Sequence, residues 1–206
     1  MAKKFFSLLL IFLLISGSVF AAMPESWLNS SITYDWSYNS EKPLNSGTAD
    51  ALGYNFSWFA FPGSAHVGIA THMGISFSVD ADPAFVGMHA FMGPAFNTVL
   101  AGGVVGYLAI GPSYQVSEVS QPTSFLEQQL GVGLDVGARF RLAGSERWDL
   151  GIITGAFGDI TLLHLVDSKR HPGFSANLSA YFGLSFGSAV NFPSYGFYSP
   201  SVYYYF

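Results

Sequence analysis

The chain has 206 residues, of which half are apolar, 10% are charged and none is cysteine. The missing cysteine excludes a disulfide-stapled module, a thiolate metal site and a lipid-modified Cys anchor, and so low a charge density suits contact with lipid better than with water. The formal net charge is −5, and removing Lys3 and Lys4 leaves six basic residues against 13 acidic ones, a net −7 that argues against nucleic acid as a partner.

Lys3 and Lys4 precede an apolar run from Phe5 to Ile15, and Val19-Phe20-Ala21 follows as a small-residue exit site. This pattern is that of a cleaved signal peptide over 1–21, with residues 22–206 as one exported domain. The apolar run falls short of the roughly 20 residues that a spanning helix needs. Beyond it, Gly, Ser, Asn, Asp or His recurs every few positions, so no later window reads as a transmembrane helix. A greasy, exported chain without such a helix satisfies its backbone in lipid by closing a sheet on itself.

The period along the mature chain is two. Ile32, Tyr34, Trp36 and Tyr38 alternate with Thr33, Asp35 and Ser37. A second strand alternates Leu52, Tyr54, Phe56, Trp58 and Ala60 with Gly53, Asn55 and Ser57, and Pro62-Gly63-Ser64 turns it into a third, with Val67, Ile69, Met73, Ile75 and Phe77 opposite His66, His72 and Ser76. A fourth (84–97) and a fifth (103–117) are interrupted by Pro94 and Pro112, which belong at strand ends or bulges. The sixth sets Leu130, Val132, Leu134, Val136, Ala138, Phe140 and Leu142 against Gln129, Asp135, Arg139 and Arg141. After Ala143–Glu146, a seventh strand places Trp148, Leu150 and Ile152 outward, and an eighth runs from Phe174 to Phe186. The end, Tyr198 to Phe206, alternates once more.

Nine segments conflict with the even strand number of single-chain bacterial barrels. Either one segment is not a strand, or Phe157-Gly158-Asp159 is a turn that splits the seventh. The pattern therefore predicts an all-β, closed, antiparallel, up-and-down transmembrane β-barrel of eight strands, with ten as the alternative.

Barrels of this size are filled by side chains rather than open. The polar residues expected to line the lumen include Asp35, His66, His72, Asp135, Arg139, Arg141 and Asp149, read as a buried ion network or, for the two arginines, a charge filter. His66 and His72 are too far apart along one strand to share a metal, whether or not His89 joins one of them, so no metal or cofactor is expected. His164 and His171 fall in or beside a loop. Ser76, His72 and Asp80 could be drawn as a hydrolase set, but no nucleophile motif accompanies them, and the chain is read as a non-enzyme. Tyr34, Trp36, Tyr54, Trp58 and Trp148 are expected to form aromatic girdles at the membrane interfaces.

The closing Val202-Tyr203-Tyr204-Tyr205-Phe206 resembles the C-terminal aromatic signal read by the outer-membrane assembly machinery, with Val202, Tyr204 and Phe206 on one face. Ala109–Tyr114, Gly131–Gly137 and Ala180–Phe186 resemble the later strands of small OmpW-type barrels and of a spirochaetal (Treponema) family of uncharacterised eight-stranded barrels. The resemblance implies a bacterial outer-membrane protein that serves as a narrow channel or conduit for small hydrophobic solutes. The alternative it leaves open is a plugged, structural barrel whose loops bind a surface partner, as OmpX-like or OmpA-like barrels do.

Overall fold

A computed structural model describes residues 26–39, 47–62, 65–79, 85–119, 125–145, 148–172 and 174–188. The strands are β1 (Ser26–Asn39), β2 (Gly47–Ala60), β3 (Val67–Ser78), β4 (Phe85–Ala101), β5 (Val104–Val119), β6 (Phe125–Gly144), β7 (Trp148–Val166), β8 (Lys169–His171) and β9 (Ser175–Ser188). Each consecutive pair from β1 to β7 is antiparallel, β7 pairs with β9, and β9 pairs with β1 from Ser26 opposite Ser188 to Asn39 opposite Ser175. Eight long strands thus close a ring with no free edge, and β8 is a short return hydrogen-bonded only to the end of β7. The alternation that foretold the barrel now reads as two surfaces. Ile32 is 66% exposed and Met73 64%, while their neighbours Ser31, Thr33 and His72 are buried inside.

Three sequence expectations change. Phe157-Gly158-Asp159 is no turn, because β7 runs unbroken through it and pairs with β9 on one side and β6 on the other. The ten-strand alternative therefore falls. Pro94 and Pro112 do not end β4 and β5. Both point outward on adjacent strands, and the ladder keeps one register across them, Phe91 opposite Ser113 and Ala95 opposite Ala109, while the rungs between are absent. A proline has no N–H to donate, so the wall loses rungs there without losing alignment. His164 lies on β7 beside the 167–168 turn, and what differs from expectation is its inward direction. A bulge at Leu162, between the Gly131–Thr161 and Leu130–Leu163 pairs, reverses the parity of β7 and turns His164 inward, opposite Gln129. His171 pairs with it from β8. The terminal segment with Val202, Tyr204 and Phe206 lies outside the described residues, as does the leader.

Large inward rings are received by glycines on neighbouring strands. Tyr107 lies where a Cβ of Gly137 would be, Tyr181 where one of Gly155 would be, and His89 covers Gly74. An eight-stranded lumen cannot hold large side chains from every wall at one level, so a bulky residue on one strand requires a bare backbone beside it.

Candidate functional site

The lumen is built in layers. At the end where the strands are joined by 61–66, 102–103 and 145–147, an apolar layer comes first. Trp27 packs on Phe59 and Phe61 at ring-centroid distances of 5.4 and 4.9 Å, and all three are buried. Arg139 lies beside them, 1% exposed, with its guanidinium 5.7 Å from the Trp27 ring centroid. Its fork pairs with both oxygens of Asp149, and its Nε donates to Ser185 Oγ at 2.6 Å. A guanidinium whose planar donors meet a carboxylate and a hydroxyl is matched in this dry environment, where a missing partner would cost several kcal/mol. Arg141, nearer the rim, stands 3.7 Å from Asp149 and donates to the Ser145 carbonyl. The two arginines are thus braced on one aspartate at one end of the lumen.

A polar layer crosses the middle. His72 Nε2 lies 2.8 Å from Asp135 Oδ2, and both side chains are fully buried. The other oxygen of Asp135 accepts a 2.6 Å bond from the Tyr181 hydroxyl, which in turn is bonded to the hydroxyl of Tyr107. His72 Nδ1 faces the Asn55 amide at 3.5 Å. Four strands contribute to the histidine, carboxylate and phenol chain, and Phe59, Phe91 and Phe157 surround the imidazole at 5.3 to 5.8 Å. Ser76 stands four residues from His72 along β3, so those two do not meet, and Asp80 lies outside the described residues.

Above this layer the lumen opens into a small cup of about 30 Å³. Asp35, His89, Gln115, Phe157, Asp159 and Asn177 are among its lining, with the His89 ring stacked on that of Phe157. Higher on the β6–β7–β9 wall, Glu127 accepts from Gln129 at 2.8 Å and pairs with His164 at 2.7 Å. The Gln129 carbonyl collects the hydroxyls of Thr161 and Ser175 and the Asn177 amide. Although 61–66 at the other end equals 79–84, the connections at this end, 40–46, 79–84, 120–124 and 167–174, are on the whole longer. There β6, β7 and β8 stand beyond the last β7–β9 rung, Ile160 with Ala176. The β7–β8 tip turns through Asp167 and Ser168, both at positive φ, and presents exposed Lys169 and Arg170.

Of the expected lumen residues, Asp35, His72, Asp135, Arg139 and Asp149 project inward on the ring strands, and Arg141 is half-buried at the rim. His66 is placed at the end of the barrel, before the first residue of β3. It lies exposed in the bend before β3, with Nδ1 3.2 Å from the Asn97 carbonyl oxygen. The aromatics Tyr34, Trp36, Tyr54, Trp58 and Trp148 all face outward. Tyr54 falls midway along β2, opposite Ile32, and its hydroxyl meets Ser30, so it shields a polar group within the band rather than marking an edge. Sequence reasoning missed Trp27, Tyr107, Tyr181 and the Glu127–His164 pair. Parity alone carried the signal for the first three, each an aromatic on the small-residue side of its strand.

Among the described residues no group of three His, Asp or Glu is placed to hold a metal ion. No protein-family model matches the chain, and no curated protein is similar to it in sequence. Solved structures are similar in fold. Neisserial surface protein A matches with a TM-score of 0.59 at 12% identity, covering 80% of this chain and 97% of that one. Ail, the attachment invasion locus protein of Yersinia pestis, matches with a TM-score of 0.48 at 12% identity over 79% of this chain and 99% of that one. The outer membrane protein OprG from Pseudomonas aeruginosa matches with a TM-score of 0.45 at 8% identity over 81% and 96%. The closed eight-stranded ring, with its apolar outside and filled inside, gives this chain the fold of the small outer-membrane β-barrels.

Proposed function

We propose that this is an exported bacterial outer-membrane protein held in lipid by its barrel wall, which works at its loop end and does not conduct solutes through its lumen. The observation that carries this reading is the double plug. A solute crossing the lumen would have to displace both the Trp27–Phe59–Phe61 layer with its Arg139–Asp149 pair and the His72–Asp135–Tyr181 chain. Each layer breaks buried charge pairs or aromatic packing, at several kcal/mol apiece. Connections that are shorter on average at one end than at the other follow the habit of outer-membrane barrels, whose longer loops face outward. On that rule the β7–β8 hairpin with Lys169 and Arg170 meets the surroundings and is the first place to seek a surface partner. Export by the 1–21 leader and recognition of Val202, Tyr204 and Phe206 by the assembly machinery belong to the same reading.

A second reading, a conduit for small hydrophobic solutes, is favoured by one observation. The rungs missing around Pro94 and Pro112 make a weak seam between β4 and β5, held by fewer hydrogen bonds although the two backbones still touch at Gly93 and Gly111. Planar bilayers and liposomes carrying the purified protein separate the two. The plugged reading expects no unitary conductance and no accelerated uptake of an apolar dye, whereas dye uptake abolished by a disulfide placed across the seam would establish the conduit. Trypsin added to intact cells is expected to cut at Lys169 or Arg170, and protection there would reverse the orientation.

A further inference from the structure

One row of outward side chains climbs the wall towards the loop end. It runs rung by rung from Ile32, midway along β1, to Gln128 on β6, and on through Leu165 on β7 to Arg170 on β8. Directly opposed residues of an antiparallel pair share a face, so Arg170 stands on the outer side of the sheet. Lys169, opposite Val166 and in line with Glu127, stands on the inner side. Along β6, Gln128 lies six residues from Leu134, which at ~3.3 Å per residue and a tilt near 40° is about 15 Å of membrane normal. With Leu134 near the middle of the apolar run, that is the edge of a hydrocarbon core about 30 Å thick. Two more strands, ~4.8 Å apart and rising at the same tilt, lift Arg170 by about 6 Å more, into the headgroup zone that ends about 20–22 Å from the midplane.

The hairpin that carries Arg170 is tied down. Asp167 and Ser168 turn it at positive φ, the Asp167 N–H donates to the Leu126 carbonyl at 2.9 Å, and the Asp167 carboxylate accepts from the Leu126 N–H at 3.0 Å. The acid of the turn is thus engaged with β6, and among the described residues no carboxylate lies within ion-pair distance of the exposed Arg170. Nearer the apolar band on the same strand pair, Leu165 is half-buried and Leu162, at the bulge, is 70% exposed, the highest value for a large apolar side chain among the described residues. A fixed guanidinium above apolar side chains, continuous with the lipid-facing wall and level with the headgroups, is complementary to a lipid that carries negative charge on a phosphate.

We propose that the outward face of the β7–β8 hairpin binds the phosphate of an anionic lipid headgroup, with Arg170 as its cation and Leu162 and Leu165 against the acyl chains. The site rests on the reading that the wall lies in lipid, and not on which way the barrel faces or whether its lumen conducts.

The test places the full mature chain in nanodiscs of equal parts phosphatidylcholine and phosphatidylglycerol. Native mass spectrometry counts the lipids that stay on the protein, and the Arg170 Nε–Hε resonance reports the contact. Phosphatidylglycerol is expected to be retained over phosphatidylcholine by about fivefold, the factor that one arginine gives at an anionic bilayer surface. Arg170→Gln is expected to bring the two lipids close to parity, and Arg170→Lys to keep part of the preference. Lys169→Gln removes the same charge from the opposite face of the hairpin and is expected to leave the preference unchanged. Free glycerol phosphate, added to discs of phosphatidylcholine alone, is expected not to move the resonance. The proposal is overturned if the inserted parent shows no preference, if Lys169→Gln lowers it as far as Arg170→Gln does, or if free glycerol phosphate shifts the resonance as phosphatidylglycerol does. Heat-modifiable migration of the disc-borne protein separates these failures from failure of the underlying reading, because a chain that does not enter the discs as a folded barrel overturns both.

Discussion

Phe157 on β7 lies over the bare backbone of Gly133 on β6, and a Cβ added at 133 would come 2.8 Å from both Cε2 and Cζ of that ring. The nearest other atom is Cδ2 of Phe91 at 3.0 Å, so every close neighbour is an aromatic side chain and none is backbone. Gly133→Ala is therefore expected to destabilise the barrel by about 1–3 kcal/mol through overpacking. Phe157→Leu in the same molecule should return a large part of that loss, and the two changes should couple by about 1 kcal/mol. Equilibrium unfolding in urea from lipid vesicles measures all four corners of the cycle. Additive effects would mean that ring and glycine do not share the space.

The Arg139–Asp149 pair yields different predictions for one change and for two. Asp149→Leu alone leaves a guanidinium buried beside Trp27 with its main partner gone, at an expected cost of about 3–5 kcal/mol. Arg139→Met together with Asp149→Leu removes the buried pair and leaves only Arg141, half-buried at the rim, without its carboxylate, so the double variant is expected within about 1–2 kcal/mol of the parent. Thermal denaturation followed by heat-modifiable gel migration ranks the three proteins. A double variant as weak as the single one would assign the pair a role in packing that its charges do not explain.

In the middle layer Asp135 serves His72 with one oxygen and Tyr181 with the other. Asp135→Ala orphans both partners in a dry environment and is expected to cost about 3–5 kcal/mol. Asp135→Asn keeps an acceptor for Tyr181 and loses the charge, so its cost should fall clearly below that of alanine. Tyr107→Phe, which removes only the last hydroxyl of the chain, is expected to cost about 1 kcal/mol. Urea unfolding gives the order, and an order in which Tyr107→Phe is the worst would place the weight of the layer on the phenol pair.

How much of this was legible depends on which residues carry it. The ring and its two faces were readable from Ile32 to Phe186, because a period of two survives every turn. Asp149 could be read as a partner for an arginine on charge alone, but the pairing of Asp135 with His72 could not, since β3 and β6 are far apart in sequence and meet only across the closed lumen. Pro94 and Pro112 misled because a proline rule for single strands ignores that two adjacent prolines can forfeit the same rungs. His164 was hidden by the Leu162 bulge, one residue that reverses the parity of everything after it. The cup was invisible, being a property of the space left between residues and not of any one of them.

The outer wall carries the last prediction. On β6 the outward residues from Leu130 to Leu142 are unbroken by charge, and Leu134 near the middle is 46% exposed. Rising ~3.3 Å per residue at a tilt near 40°, that run covers roughly 30 Å of membrane normal, enough for an apolar band ~25 Å tall with its margins. Gln128 and Glu118, which follow toward the loop end on β6 and β5, then mark where the wall meets polar surroundings, and the Tyr114 hydroxyl donates to Gln128 at that level. Leu134→Arg should therefore cost about 2–4 kcal/mol in lipid vesicles, while Leu126→Arg, beyond Gln128, should cost about 0–1 kcal/mol. Both leucines face outward on one strand and have similar exposure, 46% and 41%, so packing does not separate them and only depth in the bilayer does. Equal penalties at the two positions would mean that this face does not sit in lipid, and the barrel would need another explanation for its greasy exterior.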